Sequence, residues 1–225
     1  MQRQRQSSIL GMLIPGMVIL LGTKAVASVM PIGAFTPSTL ITFTGLPDGT
    51  EVNGLTVSGV LFTYSLGNGQ LEISHMGPGL TNNINPPNTV TVPNQTQAGT
   101  LTILLPSPAL RFEYGYAILR TVPFANATTV SVFSGATLLG SLSFDAAPDP
   151  VWSGGLARLE STSAFDRVAV TFNNSGRASD FAVDNIGFGI GNVPEPSTFA
   201  LLALGLLVAS ALHLAASGAV RPRKL

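Results

Sequence analysis

The 225-residue chain contains no cysteine, a single tryptophan and two histidines. Without cysteine there is no disulfide framework, no thiolate metal site and no cysteine nucleophile. Charge is also scarce, at 10% of residues, and the formal neutrality hides an uneven distribution. Six of the eleven basic residues sit in the two terminal segments. From Ser28 to Pro196 only Arg111, Arg120, Arg158, Arg167 and Arg177 remain, against eleven acids, which gives that stretch a net charge of −6. An acidic body has no basic surface to offer nucleic acid or an anionic membrane, so neither is expected as its partner. The body's only histidine, His75, lies near Gly77 and far from any Gly-x-Ser-x-Gly elbow, so it reads as a surface-loop residue rather than a catalytic base.

Long apolar runs occur at the two ends. Met1 to Ala27 has Arg3 and Arg5 ahead of an apolar core from Ile9 to Leu21, then Ala25-Val26-Ala27 as a small-x-small site. This is the pattern of a secretory signal peptide, with signal peptidase cutting between Ala27 and Ser28. At the other end Val193-Pro194-Glu195-Pro196 precedes an uncharged run from Phe199 to Ala219, and Arg221, Arg223 and Lys224 follow. Those 21 residues make about 32 Å of helix, enough to cross a bilayer core of roughly 30 Å. The basic end is expected on the cytoplasmic side, with the body outside.

Between these ends the pattern is one of strands without an amphipathic helix. Leu40–Phe43 is short and ends at a Leu46-Pro47-Asp48-Gly49 turn signal. Leu55–Tyr64 is longer, with Gly59 reading as a bulge or close approach. Leu71–Ser74 is another strand. Gly77–Gly99 is a long Gly/Pro/Asn-rich loop with an edge-pairing segment at Thr89–Val92. In Ala109–Leu119, Phe112, Tyr114 and Tyr116 share one face, and Arg111 and Glu113 the other. Thr128–Phe133 and Thr137–Phe144 flank a turn at Gly135. Trp152–Glu160, Asp166–Phe172 and Phe181–Ile190 complete about eight to ten strands. The expected fold is a jelly-roll-like β-sandwich spanning residues 28–192, preceded by the signal peptide (1–27) and followed by the tail (193–225), with one transmembrane helix at 199–219.

Two resemblances add to this. The tail, with Val-Pro-Glu-Pro, an apolar span and an Arg/Lys-rich end, resembles the PEP-CTERM sorting signal of Gram-negative bacteria. The motif falls on Pro194, Glu195 and Pro196, and the basic end on Arg221, Arg223 and Lys224. That resemblance implies an exosortase-type membrane peptidase that cuts off the tail, membrane attachment beforehand, and delivery to the cell surface or extracellular matrix. The same tail also carries the label of an ice-binding protein C-terminal domain. The body, through ITFTGLPDGTEVNGLTVSGVLF and FAVDNIGFG, resembles galactose-binding-like and carbohydrate-binding jelly-roll modules. In such modules an Asp of the last strand holds a structural calcium. Asp184 matches that position, but Thr44 stands where the first-strand acid would be. The residue otherwise reads as a solvated or turn-bonded acid at a strand edge, and no cofactor is assigned.

The sequence therefore favours an exported, non-catalytic surface or matrix protein whose ligand is extracellular polysaccharide, with Trp152 the candidate platform for a sugar ring. Against Trp152, as against Tyr64, Tyr114 and Tyr116, stands ordinary core packing. A surface glycoside hydrolase is the alternative. It would need carboxylates from different strands, because Asp180 and Asp184 on one strand lie about 13 Å apart. Ice binding is a further alternative and would need a flat array of repeated threonines, which Thr89 and Thr91 alone do not make.

Overall fold

The computed structural model describes residues 27–75, 84, 89–91, 99–173, 180–190 and 207. The leader up to Val26, most of the 76–98 loop and nearly all of the tail lie outside the described residues. So do the expected sites at Ala25, Pro194, Glu195, Pro196, Arg221, Arg223 and Lys224. Among the described residues no helix is long and apolar enough to cross a membrane.

Among the described residues eleven strands form, somewhat more than the sequence indicated: β1 (Val29–Pro31), β2 (Thr39–Ile41), β3 (Thr56–Val57), β4 (Val60–Tyr64), β5 (Glu72–Ser74), β6 (Thr89–Thr91), β7 (Thr100–Ile118), β8 (Phe124–Ser134), β9 (Thr137–Ala146), β10 (Ser153–Phe172) and β11 (Phe181–Gly189). All the strand pairings are antiparallel. β7 and β10 serve two layers. Thr100–Leu104 and Arg167–Phe172 join β4, β8 and β9 in a first layer. Arg111–Ile118 and Ser153–Glu160 join β11, β6, β5, β2 and β1 in a second.

The change of layer is written into β7. Leu105–Pro108 has no partner in the β7–β10 register, and Pro106 and Pro108 fall there because a proline has no N–H to give a ladder. Folding the sheet on itself buries apolar side chains of both layers in one core. Phe62, Ile103, Val130 and Val168 come from the first layer, and Phe112, Tyr114, Val183 and Phe188 from the second. Tyr64 and Phe181 meet across it with ring centroids 6.4 Å apart, and Phe172 stacks on Phe181 at 4.0 Å. The architecture is all-β and open sandwich-like.

Three sequence expectations change. Leu55–Tyr64 is a hairpin: Val57 pairs with Val60 around Ser58-Gly59, whose φ angles of 51° and 80° are those of a type I′ turn. The segments read as Trp152–Glu160 and Asp166–Phe172 are one strand, β10, which is irregular where it changes layer. The Thr89–Thr91 segment lies between β5 and β11 rather than at an edge.

Candidate functional site

The outer side of the second layer, turned away from the main core, carries the two candidate body residues. Over the second-layer part of β7, Arg111–Ile118, the side chains alternate. Phe112, Tyr114 and Tyr116 enter the core, so Arg111, Glu113, Gly115 and Ala117 face outward. Register then places the neighbours: Ala182 lies opposite Ala117, Asp184 opposite Gly115, and Gly187 opposite Glu113. Trp152 is half-buried and packs on Ala117, Ala182 and Ile84. Since Ala182 and Asp184 are two residues apart on one face, about 7 Å along the strand, Trp152 and Asp184 share that face.

Asp184 is fully buried, not a solvated acid at an edge: β11 is an interior strand between β7 and the β6 and β2 strands, and its outer face is covered next to Asp184, where Trp152 and Ile84 pack on Ala117 and Ala182. It stands at a β-bulge. The β7–β11 register shifts between Asp184 and Gly187, Asn185 takes φ 49°, and the Asn185 N–H donates to Asp184 Oδ1 at 2.7 Å. The extra residue keeps Phe181 and Val183, then Ile186 and Phe188, directed into the same core. Among the described residues no group of three or more His, Cys, Asp or Glu gathers to hold a metal ion.

Beside Asp184 runs a charged ladder. Arg158 Nε donates to Glu113 Oε2 at 2.7 Å and Arg111 Nε to Glu160 Oε1 at 3.0 Å, across directly opposed positions of β7 and β10. The Arg111 guanidinium also lies 6.0 Å from the Phe35 ring centroid. The sequence placed Arg111 and Glu113 on one face but did not identify their partners. The signal was present as two Arg-x-Glu triplets, Arg111–Glu113 and Arg158–Glu160, which antiparallel pairing turns into two opposite-charge pairs.

The tyrosines considered for sugar stacking belong to the core. Tyr114 Oη shares a 2.6 Å hydrogen bond with Thr128 Oγ1, Tyr116 Oη donates to the Asp145 carbonyl at 2.6 Å, and Tyr64 Oη accepts the Gly99 N–H at 2.7 Å. Burial pushes all three phenols above the ordinary tyrosine range. His75 is exposed, as expected for a surface loop. Its N–H donates to Asp48 Oδ1, and its Nε2 lies 2.7 Å from the Leu46 carbonyl. A shallow cleft of about 280 Å³ opens where β11 ends, lined by Ser38, Thr39, Ser107 and Phe188 among others, with no charged side chain.

Residues 192–213 match the PEP-CTERM protein-sorting motif. The chain therefore carries a sorting signal of this type, which indicates export and sorting at the membrane and implies exosortase processing. No curated protein matches the chain. Among solved structures the chain is similar to adhesin and carbohydrate-binding β-sandwich domains. The K2 cleaved adhesin domain of Lys-gingipain is 14% identical, with 68% of this chain and 98% of that one covered at a TM-score of 0.47. A variant of a family 29 carbohydrate-binding module is 10% identical over 70% and 94% of the two chains, at 0.39. TmCBM61, solved with β-1,4-galactotriose, is 13% identical over 60% and 90%, at 0.31.

Proposed function

We propose that the mature chain is a non-catalytic component of the cell surface or extracellular matrix of a Gram-negative bacterium, and that its β-sandwich holds extracellular polysaccharide. The observation that carries this reading is the sorting motif at 192–213 behind an all-β body. In this reading signal peptidase releases the chain at Ser28, the apolar span at 199–219 keeps it in the membrane, and exosortase then separates the body from its tail. The charges fit a binding rather than a catalytic role. Glu113 and Glu160 share a face, but each is engaged by an arginine across the strand pair, which commits them to holding strands together instead of moving protons.

The test is the intact mass of the protein recovered from its native host. The expected species begins at Ser28 and ends near Pro196. A membrane species that retains Phe199–Leu225 would overturn the sorting step and leave a plain single-span anchor displaying the same sandwich.

A further inference from the structure

The solvent side of the first layer is unlike that of the second. Register lines up hydroxyl side chains in two rows perpendicular to the strands. Thr100, Thr171, Thr129 and Ser143 are directly opposed in succession across β7, β10, β8 and β9. Two residues further along, Thr63, Thr102, Ala169, Ser131 and Ser141 continue the pattern across five strands. None of these nine residues is buried, and no charged residue stands in either row. Neighbouring positions in a row are about 4.8 Å apart and the rows about 7 Å apart. Along one border, Arg167 lies with its guanidinium 4.1 Å over the Phe133 ring, flanked by exposed Leu104 and Leu138.

We infer that this face binds a neutral polysaccharide chain lying along the rows, across the strands. The inference rests on the polysaccharide reading above and assigns it a surface and a ligand class. Hydroxyl chemistry supports it. Thr129 Oγ1 and Ser143 Oγ are 2.8 Å apart, and Ser131 Oγ and Ser141 Oγ 2.7 Å. A bonded pair of hydroxyls consumes one donor and one acceptor, so each pair keeps a hydrogen to donate and lone pairs to accept. A surface that both donates and accepts without formal charge matches the hydroxyls of a neutral glycan. An acidic glycan would meet no cation in the rows, a single one, Arg167, at their border, and a body whose net charge is −6. At the border, Leu104, Leu138 and the guanidinium plane of Arg167 on Phe133 offer the C–H faces of sugar rings a place to rest.

The twist of the sheet selects the kind of ligand. At about 20° per strand, five strands turn through roughly 80°. A rigid planar lattice such as ice touches only part of such a face, and three of these eight hydroxyls are serine, without the methyl group of threonine. A flexible chain can follow the turn. β11, from which the sorting tail departs, belongs to the other layer, so the hydroxyl face looks away from the layer that carries the tail.

The test uses the mature protein from its host and the host's own exopolysaccharide, separated by anion exchange into neutral and acidic fractions, with retardation in affinity electrophoresis as the readout. Wild type and Trp152→Ala are expected to be retarded by the neutral fraction. Thr102→Glu and Ser131→Glu, with unchanged circular dichroism, are expected to weaken binding by about tenfold or more. Should a glutamate disturb folding, the double variant Thr102→Val, Ser131→Ala removes the hydroxyls at nearly constant shape and must weaken binding as well. If the hydroxyl-face variants bind like wild type while Trp152→Ala does not, the surface is wrong and polysaccharide binding by the second layer stands. Retardation by the acidic fraction alone overturns the ligand class. Retardation by neither fraction overturns both this inference and the polysaccharide reading. In that last case, inhibition of ice recrystallisation that Ser131→Glu abolishes would assign the face to ice.

Discussion

Arg158 and Glu113 face each other across β10 and β7, with Arg158 Nε 2.7 Å from Glu113 Oε2, and the Glu113 side chain is only 10% exposed. Its neighbour pair, Arg111 and Glu160, has the same chemistry at 27% exposure on both sides. Burial should separate the two. Arg158→Ala leaves a nearly buried carboxylate without its partner and is expected to cost about 2–4 kcal/mol. Arg111→Ala should cost about 1 kcal/mol or less, because water screens and replaces the lost contact. Urea unfolding of both variants checks the order. Equal losses would mean that Glu113 is as well hydrated as Glu160.

The strand content was legible in the sequence because alternation of apolar residues survives without knowledge of the partners. Even the β11 bulge left a trace: Phe181 and Val183 keep a spacing of two, and Ile186 follows Val183 by three before Phe188 restores the phase. Pairing across long separations was not legible. Nothing local says that Ser161 and Phe165 belong to one strand, or that Arg158 meets Glu113. The hydroxyl rows were hidden for the same reason, since Thr63, Thr102, Ser131 and Ser141 become neighbours only through register. Trp152 and Asp184 were each singled out from the sequence, but that they share a face follows only from the pairing of Ala117 with Ala182.

The hairpin between β3 and β4 was missed because Ser58-Gly59 lacks the Asn-Gly signal that a type I′ turn prefers. Ser58 nonetheless holds φ 51°, a region costly for most residues and easier for asparagine. Ser58→Asn is therefore expected to raise stability by about 0.5 kcal/mol. Gly59→Ala should lower it by about 1–3 kcal/mol, since Gly59 sits at φ 80° and an added Cβ would lie 3.3 Å from Pro106 Cβ. Thermal unfolding of the two variants should move in opposite directions. A shift of the same sign would reject the turn assignment.

The protein's three tyrosines, Tyr64, Tyr114 and Tyr116, all have phenols raised above their ordinary value of 10.0, with burial the largest cause in each. A phenol that binds its proton more tightly when folded contributes stability below pH 10 and loses it as pH rises toward its folded value. Absorbance near 295 nm should therefore stay flat through pH 10 while the fold persists, then rise together with loss of near-ultraviolet circular dichroism. A smooth titration centred at 10 in folded protein would place at least one of these rings in water.

β1 begins one residue past the expected signal-peptidase site, and its place in the fold makes the position of that cut consequential. Ser28 N–H donates to Thr162 Oγ1 at 2.9 Å, the Thr162 N–H returns to the Ser28 carbonyl at 2.9 Å, and Val29 pairs with Ser161. The Val29 side chain fills the space over Gly140, where an added Cβ would come within 2.7 Å of Val29 Cγ2. A cut between Ala27 and Ser28 keeps this strand whole. A chain starting at Ile32 loses it and bares the β10 edge, and it should unfold about 4–8 °C lower, in line with about 2 kcal/mol for a domain of this size. Gly140→Val should lower the midpoint in the full-length mature protein and change it little in the shortened one, because the obstructed partner is already gone. If shortening leaves the midpoint unchanged, β1 adds nothing to the sandwich and the cleavage site is free of this structural constraint.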